Sequence, residues 1–498
     1  VTETAGYRVV VLLLVLAGLP TGSALGGPVV SQDGPPEATS TSTNATQLVE
    51  RVTVERVQSN ASMVEATITY RIPANVTRLV FGIETAAVTV EDTHQFDQRG
   101  RQTYEWTGDG TVGNVTVRYP AGEGFYLDDR HLGAVDWTDE WALVLRPETR
   151  TRWAFEGSNP GLRYVFNATG GVAGEEFAYL GPHQVLTGAD GQVKLVLPDS
   201  AQPITRPASI MDAVTYASRL ELRDEERTST LFVAPTTGAM WSPDGLAVGA
   251  DARLSATMAA SGNGNPWVHE YVHTQQRRRA TTPATRWLDE GTAQYYGALV
   301  GLQRGDTDPD AFRQLLSSGS RYSSVVLADP RTWQRTSADY RKGALVAAEL
   351  DVRIRTATAG NATFADVMRR WARSETFGTG DFTAAVEAVA GPEVRALAVE
   401  YTETNATPPL RSPERYEAVL GGSLPERPGT NQSDPEPSGA RETTRTTAQP
   451  SAVNRTASHS KHATNGDGSG FGPLVAILSL LLVAVGFGQI VSIQNRKF

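Results

Sequence analysis

Cysteine is absent from all 498 residues. That excludes a disulfide framework and a Cys-ligated zinc, so any metal must be held by His, Asp or Glu. Lysine is nearly absent as well, at 4 against 41 arginines, a bias that reflects genome or salt adaptation rather than function. Positive charge is outweighed overall, with 45 basic and 55 acidic residues giving a formal net charge of -10. A nucleic-acid binder needs a basic patch to displace counterions, so no nucleic-acid partner is expected. What remains is ordinary: 40% hydrophobic and 20% charged residues describe a folding chain, long enough for two or three domains.

Both ends are apolar, with different meanings. Val9 to Leu19 is too short to span a bilayer and runs from Arg8 to Thr21-Gly22-Ser23-Ala24, which predicts a signal peptide over 1–24 and a linker over 25–46. The segment 471–493 is nearly uncharged and is followed by Asn495-Arg496-Lys497. It is long enough for one transmembrane helix, with the body outside the cell membrane and the extreme C-terminus inside. Ahead of it, 406–470 is rich in Thr, Ser and Pro and poor in large apolar groups, the composition of a disordered stalk. Asn-x-Ser/Thr sequons at Asn44, Asn60, Asn75, Asn114, Asn167, Asn361, Asn405, Asn431 and Asn454 fit an exported glycoprotein. Phe471-Gly472-Pro473 resembles the C-terminal sorting signals of archaeal surface proteins, in which the helix is replaced by lipid.

The body reads as α+β. Over 47–203 short runs alternate with period two, as in Val64-Glu65-Ala66-Thr67-Ile68-Thr69-Tyr70 and Val193-Lys194-Leu195-Val196-Leu197, predicting an antiparallel β-sandwich. His94, His131 and His183 lie singly in it and read as surface or core histidines. Over 204–405 the spacing turns helical: Ala213 to Asp224, Asp310 to Leu316, Ala344 to Ile354, Phe364 to Ala372 and Phe382 to Ala390. A short strand is expected at Thr230 to Val233, with Leu246 to Val248 a second candidate.

The chemistry concentrates at His269-Glu270-Tyr271-Val272-His273, a His-Glu-x-x-His motif. Four residues are one helical turn, so both imidazoles leave one face and can share a zinc ion. Glu270 points about 100° away from the first ligand, where it reaches a water rather than the metal. The competing reading is a solvated helix face with incidental histidines. A catalytic zinc also needs a third protein ligand. Downstream, Trp287-Leu288-Asp289-Glu290-Gly291-Thr292 starts a second helix.

With that segment the sequence resembles the gluzincin zinc metallopeptidases, the clan of the membrane alanyl and glycyl aminopeptidases. The resemblance implies a thermolysin-like catalytic domain, one Zn2+ per chain, and Glu290 as third ligand, with Asp289 the local rival. Sixteen residues separate His273 from Glu290, two fewer than in the alanyl type. The polar loop holding Arg277-Arg278-Arg279 should absorb the difference. Tyr340-Arg341-Lys342-Gly343 resembles the Tyr-x-Lys-Gly segment of these peptidases, which implies that Tyr340 donates a hydrogen bond to the tetrahedral intermediate. Leu350 to Arg355 and Phe364 to Met368 look like the glycyl type.

Gly238-Ala239-Met240 resembles the edge-strand segment that pairs with substrate backbone in the alanyl type. The amine-binding Glu of that type is replaced by Trp241, and Asp244 stands in the same loop. The resemblance therefore implies a peptidase acting on peptides or proteins, with exo or endo action open. The rival is a catalytically inactive surface or adhesion protein built on a peptidase fold; an ester or epoxide substrate is a third possibility.

Overall fold

The structure is a computed structural model that describes residues 47–422 and 424, apart from 86, 123–124, 128–129, 133–135, 225–226, 237–240, 242–243, 261–263 and 277–279. The expected signal peptide, linker and membrane helix, and residues 425–470 of the expected stalk, lie outside these residues. Among the described residues no helix is long and apolar enough to cross a membrane.

Strands come first: β1 (Leu48–Arg56), β2 (Met63–Arg71), β3 (Val76–Ile83), β4 (Thr89–His94), β5 (Phe96–Gln98), β6 (Thr103–Trp106), β7 (Val112–Pro120), β8 (Phe125–Leu127), β9 (Arg130–Leu132), β10 (Asp136–Trp137), β11 (Ala142–Leu145), β12 (Thr149–Phe155), β13 (Leu162–Ala168), β14 (Gly171–Ala173), β15 (Phe177–Leu180), β16 (His183–Thr187) and β17 (Val193–Pro198). Then follow α1 (Pro207–Ser218), β18 (Ser229–Ala234), β19 (Gly245–Val248), β20 (Asp251–Ser255), α2 (Pro266–Gln275), α3 (Trp287–Arg304), α4 (Pro309–Ser317), α5 (Ala338–Ala357), α6 (Phe364–Arg373), α7 (Thr379–Ala390), α8 (Pro392–Glu403) and α9 (Pro413–Leu420). The architecture is α+β, β-rich and then helical.

The sheets β13-β1-β2-β7-β4 and β12-β3-β6-β5 share one core. Alternate residues of β2 (Val64, Ala66, Ile68, Tyr70) are buried while their neighbours are half-buried, as period two requires for a sheet with one face on a core. Phe81 is the centre of that core, 4.9 Å from Tyr70 and stacked on Tyr104 at 5.2 Å. His94 is exposed at the end of β4, and His183 Nδ1 bonds the Gly181 carbonyl at 2.8 Å.

Four features depart from the sequence expectation. The first region is not wholly antiparallel, because β1 and β13 run parallel from Leu48↔Leu162 to Val54↔Ala168. Parallel neighbours need a crossover, here supplied by the whole stretch from β2 to β12. Secondly, β17 does not stay with the first region. It pairs in parallel with β18, and the sheet β16-β17-β18-β20-β19 carries the helices that follow, so the change of region falls ahead of β16, at 181–182, rather than at 203. Thirdly, 406–422 is folded and not stalk: Ser412 caps α9, Pro413 opens it, and Tyr416 and Leu420 are fully buried. Four residues apart, these two share the one apolar face that docks the helix. Helix α1 also begins and ends earlier than the expected Ala213 to Asp224, since Pro207 favours its first turn and the apolar Leu220 and Leu222 belong to the turn beyond it.

The seam between the third sheet, β10-β11-β15-β14, and the fourth carries a buried carboxyl. Asp251 at the start of β20 is fully buried, and its Oδ2 accepts from the backbone N–H groups of Glu176 at 2.7 Å and Phe177 at 2.8 Å. Gly174 is required beside it, as a Cβ there would stand 2.3 Å from the carboxylate oxygens. Burial pushes the Asp251 carboxyl up from 3.8 to about 7, against the pull of these N–H donors. Between about pH 4 and 7 the folded chain therefore holds a proton that the unfolded chain has released, so this group's contribution to stability is present at acid pH and lost as pH rises through about 7. Replacing Asp251→Asn, which keeps an acceptor but does not titrate, should remove this slope. Urea unfolding at a series of pH values checks it, and parallel wild-type and variant curves would refute the assignment.

Candidate metal centre

Helix α2 is set by its N-terminus. Asn265 accepts from the N–H groups of Trp267 and Val268, and Pro266 fills the first turn. Trp267, Val268, Tyr271 and Val272 enter the hydrophobic core, which turns His269 and His273 to the opposite side. Helix α3 follows with Asp289 and Glu290 in its first turn, where the helix dipole favours negative charge.

The two helices bring three donors together. His269 Nε2 and His273 Nε2 are 3.1 Å apart, and Glu290 Oε2 lies 3.1 Å from His273 Nε2 and 3.4 Å from His269 Nε2. A tetrahedral zinc with bonds of about 2.0 Å has edges of about 3.3 Å between its ligands, so the triangle fits one face of that polyhedron. Burial alone would raise the Glu290 carboxyl, but the imidazoles hold it well below the usual carboxylate range, which keeps it anionic. Among the described residues the group of potential ligands is His269, His273 and Glu290; the rival Asp289 is outside it.

Tyr340, in the first turn of α5, stacks on His269 with ring centroids 5.9 Å apart and planes 2° from parallel, and its hydroxyl hydrogen-bonds Glu290. Burial and the Glu290 charge raise its pKa, so the hydroxyl stays a donor. What puts it there is a backbone contact between α3 and α5. A Cβ on Gly291 would lie 2.7 Å from the Gly343 Cα, and one on Gly343 would lie 2.9 Å from the Gly291 Cα. Glu290 and Tyr340 flank this crossing.

Glu270 is 9% exposed and is covered by β19: a Cβ on Gly245 would come within 2.5 Å of its Oε1. No family model matches this chain, and no curated protein matches it. Among solved structures, the M1 zinc metallopeptidase of Deinococcus radiodurans is similar over 74% of this chain and 95% of its own, at 14% identity and a TM-score of 0.44. An aminopeptidase N family protein from Idiomarina loihiensis is similar over 73% of this chain and 77% of its own, at 13% identity and 0.46. A mutant two-domain M1 zinc metallopeptidase bound to L-arginine is similar over 74% and 96%, at 13% and 0.47. The metal centre rests on its own geometry and not on these likenesses.

Of the expected substrate segment, Gly238, Ala239 and Met240 lie outside the described residues, as does Arg277-Arg278-Arg279. Trp241 is a core residue: it is 8% exposed, its Nε1 donates to the Pro235 carbonyl at 2.6 Å, and its ring stacks on Trp141. The guanidinium of Arg253, fully buried in β20, sits 4.9 Å above that ring. Burial lowers Arg253 to about 10, opposed by the charges of Glu270 and Asp244, so it remains a cation in the field of Glu270. Asp244 is exposed. A cavity of about 430 Å³ lined by Met211, Tyr216, Arg219 and Arg304 lies at the other end of α3, roughly 20 Å of helix from Glu290.

Three residues and one contact here are not legible in the sequence: Gly245, Arg253, Gln276 and the pairing of Gly291 with Gly343. Both glycines stand in the quoted motifs, Gly291 directly after Glu290 and Gly343 one turn after Tyr340, and that placement is the available signal. Gly343→Ala should separate α3 from α5, lowering stability by about 1–3 kcal/mol and displacing Tyr340. A thermal melt unchanged from wild type would show that the crossing is not tight.

Proposed function

We propose that this protein is a zinc metallopeptidase that hydrolyses peptide bonds with Glu270 as the proton acceptor. The observation that carries the reading is the triangle of His269, His273 and Glu290, with a carboxylate on the same helix and a tyrosine hydroxyl beside it. The three donors would hold the metal, and zinc, when bound, supplies a Lewis acid that polarises oxygen and acidifies water.

The remaining steps belong to the chain's own residues. Glu270, held between α2 and Gly245, takes a proton from the attacking water and delivers it to the leaving amine nitrogen. Tyr340 donates a hydrogen bond from its hydroxyl to the oxygen of the scissile carbonyl as negative charge develops there. The peptide substrate is drawn from the motif resemblance. In the same proposal the catalytic unit is displayed outside the cell on the 471–493 segment, which membrane fractionation and surface proteolysis of intact cells would test.

One observation favours the second reading, a catalytically inactive surface protein: Trp241 is buried where the alanyl type carries its amine-binding carboxylate. Zinc analysis and hydrolysis of peptides with free and blocked N-termini separate the two readings and decide exo from endo action. The active reading expects one zinc per chain and turnover. Glu270→Gln should then lower kcat by about 10²–10⁴ with zinc still bound, and full activity in that variant would overturn the mechanism. Gly245→Ala, which crowds the same carboxylate, should also lower kcat at unchanged zinc content; unaltered kcat would show that β19 does not aim the base.

A further inference from the structure

We propose that Gln276 is a positioning residue for the metal centre, which fixes His273 in the tautomer that leaves Nε2 free and holds the backbone ahead of Glu290 at the same time. The proposal rests on the zinc reading above.

The direction of the hydrogen bonds decides it. Thr292 Oγ1 donates to the Leu288 carbonyl at 2.7 Å, so it has no second proton and must accept from Gln276 Nε2 at 2.9 Å. The same Nε2 donates to the Asp289 carbonyl at 2.8 Å, which can only accept. These partners assign the amide ends: nitrogen to α3, oxygen to His273. Gln276 Oε1 lies 2.7 Å from His273 Nδ1, and an amide oxygen only accepts. Nδ1 therefore carries the proton, and the lone pair of the neutral ring is on Nε2, facing Glu290 Oε2 and His269 Nε2.

Gln276 can do this because it caps α2 in an extended conformation, φ −79° and ψ 151°, and its side chain returns to the last turn. It is 7% exposed and Thr292 is fully buried, so water does not compete for the three bonds. The link also bypasses the loop between the helices. One side chain joins the second ligand directly to the peptide group ahead of the third, so their separation does not depend on the length or course of that loop.

The test is zinc affinity of the full chain, measured with Zn2+ alone by competition with a chromophoric chelator. Gln276→Met fills the same space without hydrogen bonds and should bind zinc about 10–100-fold more weakly. Gln276→Glu keeps the acceptor for Nδ1 but loses the donor to α3, and should bind zinc more weakly than wild type but more tightly than Gln276→Met. A merely structural role would weaken both variants alike. Gln276→Met binding as tightly as wild type, or Gln276→Glu as weakly as Gln276→Met, overturns the proposal. In the metal-free wild type, which needs no variant to fold, imidazole nitrogen NMR at alkaline pH should show His273 protonated at Nδ1; the Nε2-protonated form overturns it as well. A wild type that binds no zinc would overturn the metal reading itself, and this proposal with it.

Discussion

The site depends on the contact of two helix backbones at Gly291 and Gly343. Side-chain packing between helices adjusts by rotamer changes, whereas contact between Cα atoms does not, because no softer group lies between them. Glu290 precedes one glycine, and Tyr340 lies one turn before the other. The same contact that sets the helix separation therefore sets the distance between a ligand and the hydroxyl that bonds it. Any side chain at the crossing would be transmitted to both.

The other wall follows from α2 being buried on every side. Its apolar residues enter the core, its histidines face α3, and its carboxylate faces β19. Imidazole and carboxylate groups in so enclosed a place must be paired or liganded, since burial of unpaired polar groups is costly. Glu290 receives both imidazoles, and His273 has an acceptor on its other nitrogen. Arg253 adds a buried cation behind Glu270. The enclosure that makes the site electrostatically strong also explains why small residues recur at its borders, at Gly245, Gly291 and Gly343.

How much of this could be read from sequence varied with the range of the interaction. The spacing of His269 and His273 is local and needs only helical periodicity, and most helices of the second region were visible in the same way. Long-range pairing was not. Period two in Val193 to Leu197 marks a strand but says nothing about its partner, so β17 was grouped with its neighbours in sequence although it pairs with β18. Asp251 to Ser255 is a strand whose five residues are all buried, including an Asp and an Arg, so it has neither alternation nor an apolar run to betray it. Glycines at a helix crossing look, in sequence, like glycines at a turn. The hydrogen bonds of Gln276 depend on two helices separated by a loop, and nothing in local spacing encodes that.

The segment beyond 405 departs from its composition for a related reason. It is polar on average, yet its few large residues are placed where the core needs them. Arg411 pairs through Nε with the fully buried Glu349 of α5 at 2.9 Å, and the Leu424 N–H donates to the Tyr216 hydroxyl of α1 at 2.9 Å. The buried Lys342, between Tyr340 and the crossing glycine, donates to the carbonyls of Val325 at 2.6 Å and Asn405 at 3.2 Å. Burial lowers this lysine to about 8, so near neutral pH it is still largely a cation that needs those two acceptors. One of the two comes from the very point at which composition suggested that the fold ends. The first turn of α5, and with it Tyr340, is therefore braced by the last residue that composition assigns to the body, while Arg411, inside the expected tether, pairs with Glu349 further along the same helix. Composition measures whether a segment can form a core of its own; it does not measure whether a few of its residues complete another one.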